Sequence, residues 1–117
     1  MSPTAEALAQ ALLERHRQVC RPRNRTNATV TDQDIRESII CYGDLCKTAH
    51  ASCIPRGIGR FLSEITEWCS DQHPPCPPIY SLAVSKRTRV SGASYPGRDW
   101  GKEVRDCTAF KGYPDKP

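Results

Sequence analysis

A chain of 117 residues and 13.1 kDa supports one domain with a modest core and is short for most independent enzymes. Aromatic residues make up 7% and charged residues 26%, ordinary values for a globular protein, and no run of about 18 apolar residues exists, which excludes a transmembrane helix. The net charge of +4 is modest, and the first residues lack the basic-then-apolar pattern of a secretion signal, so a cytoplasmic protein is expected.

The first predicted element is a helix over residues 2–19. Ser2 can cap it, Pro3 suits the first helical position, and Ala5, Leu8, Leu12 and Val19 form an apolar stripe with Ala9 and Leu13 beside it. That stripe exceeds what a small core needs, which makes the helix a candidate homodimer surface. Residues 20–29 read as a basic linker. Thr31 and Asp34 fit a capping box that starts a helix near Asp32, carrying Ile35 and Ile39. Residues 39–42 either extend that helix or form a short strand. Tyr42, Gly43, Asp44 and Leu45 open a further short helix to about Ala49, and His50, Ala51 and Ser52 read as a turn.

The strongest periodicity follows. Ile54, Ile58, Leu62, Ile65 and Cys69 recur every three or four residues, widened by Phe61 and Trp68, with Pro55 in the first turn and Ser52 as a candidate cap. Prolines 74, 75, 77 and 78 break any helix over 71–78. Residues 79–84 alternate and predict a strand, residues 86–97 a polar wing-like loop, and residues 99–107 a last helix through Trp100, Val104 and Cys107. Two helices with a tight turn, then a strand and a basic loop, predict an α+β, mainly α fold of winged helix-turn-helix type with an extra N-terminal helix. The expected division is 1–30 as N-terminal helix and basic linker, 31–112 as the winged-helix-like domain and 113–117 as a tail.

Charge is concentrated in two islands. Residues 15–25 hold five arginines and no acid, and Lys86, Arg87 and Arg89 form the second group, while the rest of the chain is net acidic. Basic islands on an acidic body suit phosphate contact. Arg56 and Arg60 stand at i and i+4 near the start of the strongest helix, where a recognition helix presents side chains to a groove. Gly57 and Gly59 would allow a close approach there, or tight helix packing.

Seven cysteines, an odd number without a secretion signal, argue against a disulfide framework. Cys46, Cys53 and Cys69 read as small buried residues. Cys69, His73 and Cys76, spaced C-x3-H-x2-C, are the better zinc candidate, although this is not a standard zinc knuckle. A redox or metal switch built on the cysteines ranks third among the functional readings, and no cofactor is expected.

The stretch from Ile40 to Cys46, with Tyr42, Gly43, Asp44 and Leu45 at its centre, is followed by Pro55, Arg56, Gly57, Ile58, Gly59, Arg60, Phe61 and Leu62. Together they resemble the winged-helix DNA-binding half of O6-alkylguanine-DNA alkyltransferases and alkyltransferase-like proteins. The resemblance implies that Tyr42 handles the backbone of a flipped nucleotide, that Arg56 enters the base stack and that Gly59 is the recognition-helix glycine. Gly92, Tyr95, Pro96 and Gly97 loosely echo a later loop of that family. The reactive P-C-H-R element is missing: residues 81–87 contain neither cysteine nor histidine, so alkyl transfer is not expected. The span from Tyr42 to Gly97 also resembles a group of small bacterial and phage proteins with the pattern Y-G-E-L, R-x-[IL]-G and P-P-L, which implies the same fold and no defined activity.

The expected function is therefore a small non-catalytic DNA-binding protein. Tyr42, Arg56, Gly59, Arg60, Lys86, Arg87 and Arg89 would line the interface, with Arg21, Arg23 and Arg25 as a basic arm. The alternative is an accessory or phage-type inhibitor that binds a partner protein through the same fold.

Overall fold

The computed structural model describes residues 1–90 and 98–117. In chain order it contains α1 (Pro3–Arg15), α2 (Asp32–Ser38), β1 (Ile40–Cys41), α3 (Tyr42–Ala49), α4 (Gly59–Ser70), β2 (Ala83–Val84) and α5 (Trp100–Ala109). The protein is mainly helical, and β1 and β2 form one small parallel pair with Ile40 opposite Ala83 and Cys41 opposite Val84. No helix among the described residues is long and apolar enough to cross a membrane.

The N-terminal helix forms as its cap signals dictate. Ser2 Oγ accepts the Ala5 N–H at 3.2 Å, and Pro3 occupies the first turn. The Ser2 N–H and hydroxyl also donate to the two Glu64 oxygens, at 2.8 and 3.0 Å, which ties the start of α1 to α4. Beyond Arg15 the chain continues as a wider turn, His16–Cys20, and a tight one, Arg21–Arg23, ending at Asn24 in the left-handed region. Ala5, Leu8, Ala9, Leu12 and Leu13 are all buried, because α1 packs against both α3 and α4. This corrects the expectation of a surplus apolar stripe for dimerisation: the stripe is covered by the chain's own helices. It also makes α1 part of the core that residues 31–112 build, through which Leu45, Leu62, Ile65 and Val104 run.

The Thr31 capping box is present in both directions, with Asp34 N–H donating to Thr31 Oγ1 at 3.0 Å and Thr31 N–H to Asp34 Oδ2 at 2.9 Å. Residues 40–41, left open between helix and strand, are strand.

Three expectations need correction. First, the strongest helix begins later than its pattern. Pro55–Gly57 is a separate single turn, α4 starts at Gly59 with no side-chain cap, and Ile54 is 66% exposed. Ile58, Phe61, Leu62, Ile65 and Cys69 alone supply the buried stripe, each large aliphatic contributing about 1.5–3 kcal/mol of burial. Second, nine residues separate α3 from α4, against the roughly 3–4 of a helix-turn-helix. Third, residues 79–84 are not one strand: Ile79–Leu82 is a 3-10 turn, and only Ala83 and Val84 pair. All six are buried, so the alternation has no solvent face to mark. The predicted wing loop lies partly at residues 91–97, outside the described residues.

Candidate nucleic-acid interface

The first basic island is engaged within the fold. Arg15 donates to the Ser38 and Ile39 carbonyls at 2.6 and 2.8 Å and to Glu37 O at 3.2 Å, covering the C-terminus of α2. Arg23 Nη1 sits 2.7 Å from Asp34 Oδ1 and also pairs with Glu37, and Arg25 Nε sits 3.0 Å from Asp34 Oδ2. Asp34 is 2% exposed. The Thr31 backbone bond and then the Arg23 bond hold its carboxyl down at about 2. Arg17 pairs with Glu14 and Asp115, and Arg21 reaches the Tyr113 carbonyl and Asp115. Arg21, Arg23 and Arg25, the expected arm, thus lie against acids from α2 and the C-terminal tail.

The second island is built differently. Ser85 N–H donates to Val90 O at 3.0 Å and Arg89 N–H to Ser85 O at 2.8 Å, closing a tight reversal that turns Lys86 and Arg87 outward. Arg89 adopts φ 61, a left-handed conformation that costs a residue other than glycine roughly 1–2 kcal/mol. Its guanidinium is fixed on the Cys41 sulfur at 3.0 Å. Among the described residues Lys86 and Arg87 have no acidic partner.

These cations border a cleft of about 450 Å³ lined by Cys41, Tyr42, Lys47, Pro55, Lys86 and Arg87, with Asp44 the one acid on its wall among the described residues. Tyr42 is the first residue of α3, so the positive end of that helix opens on the cleft. Arg56 is exposed on the single turn beside Pro55 and has no acidic partner among the described residues. The structure thus brings Tyr42, Lys86 and Arg87 together, with Arg89 at the Cys41 edge and Arg56 next to the Pro55 wall. It does not unite Arg56 and Arg60 on one helix face. Arg60 stacks over the Phe61 ring at 4.6 Å and lines a separate 640 Å³ cleft with Cys53, Ile54 and Gly57. Gly59 is the half-buried first residue of α4. Gly92, Tyr95, Pro96 and Gly97 lie outside the described residues.

Lys47 was missed in the sequence. Its signal was the i, i+4 relation to Gly43, which puts it one turn along the face that Gly43 shows to Pro55.

All seven cysteines are free, and Cys20, Cys46, Cys69, Cys76 and Cys107 are buried. Burial pushes the Cys69 thiol up to about 11, and burial reinforced by Cys53 pushes Cys46 up to about 12. Cys53, expected to be buried, is partly exposed. Among the described residues no three His, Cys, Asp or Glu side chains converge on a metal-sized site: Cys69 and Cys76 are buried while His73 is exposed. The C-x3-H-x2-C spacing of that trio also occurs at Cys46, His50 and Cys53, a recurrence the sequence reading passed over.

In comparisons with known proteins, no family model, curated protein or solved structure matches this chain.

Proposed function

We propose that this is a small, non-catalytic nucleic-acid-binding protein of the cytoplasm that holds the phosphate backbone at the α3 cleft. The observation that carries the reading is the α3 cleft itself: Lys47, Lys86 and Arg87 line it, Arg89 is bonded to Cys41 at its edge, and Arg56 follows Pro55 of its wall. Phosphate oxygens would accept from Lys86, Arg87 and Lys47, and Tyr42 would place its hydroxyl or ring against sugar and base. Arg56, exposed on its own turn, is the candidate for base or groove contact.

A winged-helix assignment would explain the order of α3, α4 and the basic reversal at 85–90. The nine-residue connection and the parallel strand pair make this chain an atypical example of that plan. The absence of a P-C-H-R element supports binding without alkyl transfer.

The decisive experiment is titration of labelled duplex and single-stranded DNA, at two salt concentrations, with wild type and a Lys86→Ala/Arg87→Ala variant. Binding that weakens steeply with salt and is lost in the variant supports the proposal. No binding at about 50 mM salt sinks it. The second reading, an accessory or phage-type inhibitor that binds a protein, is favoured by one feature: Ile54 is 66% exposed beside the Phe61 cleft. Under that reading Ile54→Ser abolishes partner binding and the basic substitutions leave it intact.

A further inference from the structure

Two of the seven cysteines, the buried Cys46 and the partly exposed Cys53, line one cleft, and nucleic-acid binding makes no use of them. Cys46 lies in the last turn of α3. The chain then reverses: His50 takes φ 52, its N–H donates to the Lys47 carbonyl at 3.1 Å, and the Ala51 N–H donates to the Cys46 carbonyl at 3.0 Å. This closure leads residues 51–53 back along the helix they have just left. It returns Cys53 to the wall of the cleft that Cys46 also lines, where the Cys53 thiol helps to raise the Cys46 pKa. Both line an open cleft of about 520 Å³ with Gly43, Lys47, His50 and Pro55. Cys53 also reaches the neighbouring 640 Å³ cleft and is partly exposed, whereas Cys20, Cys69 and Cys107 are sealed in the core.

We infer that Cys46 and Cys53 form a dithiol site that low-molecular-weight disulfides oxidise to an intramolecular disulfide. Cys53, the accessible thiol, loses its proton and attacks one sulfur of the small disulfide, forming a mixed disulfide and expelling one thiolate, which takes up a proton. Cys46 then loses its proton and attacks the Cys53 sulfur. The mixed bond breaks, and the second small thiolate leaves and is protonated. Two protein thiols are oxidised, and one small disulfide is reduced to two thiols. The new bond joins the last turn of α3 to the connection that carries Ile54 and Arg56, so it fixes the segment that presents both.

The test is to incubate the reduced full-length chain with oxidised glutathione, block the remaining thiols and map the tryptic peptides. Trypsin cuts after Lys47, between the two cysteines, so the bond links peptide 37–47 to peptide 48–56. The linked pair is expected in wild type, retained in Cys41→Ser (which removes the other cysteine of peptide 37–47) and absent in Cys53→Ser. In Cys46→Ser the reaction stops at a glutathione adduct on Cys53. Loss of the linked pair in Cys41→Ser overturns the inference, and so does recovery of Cys46 and Cys53 as blocked free thiols after incubation of the wild type. Cys46 is buried and its variant can fail to fold; the wild-type map and the Cys41 and Cys53 variants decide the question without it. No readout involves DNA, so this test and that of nucleic-acid binding fail independently.

Discussion

The arginines of residues 15–25 and the cations of residues 86–89 look alike in sequence and are used in opposite ways. In the first segment every arginine meets a carboxylate or a helix-end carbonyl, supplied by Glu14, Asp34, Glu37, Asp115 and the last residues of α2. In the second, a tight reversal holds Lys86 and Arg87 out in solvent, and Arg89 meets a sulfur instead of an acid. The lesson is about availability: local charge density does not set what a partner can use, because acids distant in sequence decide it. Asp34 is the clearest case. It caps its own helix, hydrogen-bonds Arg23 and lies 3.0 Å from Arg25, so a stretch that reads as basic carries acids close against it.

The strongest way to break this contrast is to remove the shared acid. Asp34→Ala leaves Arg23 and Arg25 without their buried partner and deletes half of the capping box. We expect a fall in melting temperature of roughly 10 °C or more by circular dichroism or calorimetry. Low pH should reproduce the effect. A carboxyl whose folded value lies near 2, against an ordinary 3.8, stabilises the fold fully above the ordinary value and loses that contribution as pH falls from there through 2. An Asp34→Ala protein as stable as wild type would show that these contacts are decoration.

Next in size is the Lys86→Ala/Arg87→Ala variant. Affinity for DNA at low salt should fall by about tenfold or more, and the slope of log affinity against log salt should shrink by roughly two. Arg25→Ala should leave that slope unchanged. If both variants flatten it equally, the two segments are equivalent and the distinction drawn from their partners fails.

Much of this was legible in the sequence, for identifiable reasons. Capping residues act locally, so Ser2 with Pro3 and Thr31 with Asp34 located two helix starts within a residue or so. The buried stripe of α4 showed in its period, but Ile54 fits the same period and lies outside the helix, because periodicity cannot see that the chain breaks into a separate turn at Pro55. The segment 79–84 misled because burial on every side removes the pattern that separates a strand from a turn. At the candidate site, Arg56, Lys86 and Arg87 could be named from residue type and spacing, and Tyr42 from the resemblance to alkyltransferases alone. That Arg21, Arg23 and Arg25 are occupied could not, since Asp34 and Asp115 reach them only through tertiary folding.

A smaller effect tests whether the first segment is sealed as well as paired. His16 is buried, its Nε2 lies 2.8 Å from the Cys107 carbonyl, and its ring meets Tyr113 edge to face. Desolvation is the main cause that holds its pKa below the ordinary 6.5. The sign follows: the folded state binds fewer protons than the unfolded one below pH 6.5, so stability declines as pH falls from 6.5 through the folded value. His16→Gln, which keeps a donor for the carbonyl, should flatten the stability profile in that window and leave the steeper loss near Asp34's range in place.

The smallest expected effect is also the sharpest control. Arg17 pairs with Glu14 one turn away and with Asp115 at 3.5 Å, with both acids substantially exposed. An exposed pair of this kind contributes little, because water screens the attraction and two long side chains must be ordered to make it. Arg17→Ala should therefore change stability by no more than about 0.5 kcal/mol. It removes the same unit of net charge as Lys86→Ala. If binding depends on total charge, the two substitutions weaken it alike. If it depends on cations held without acidic partners around the α3 cleft, Lys86→Ala weakens DNA binding and Arg17→Ala leaves it unchanged, with both proteins folded and equally charged.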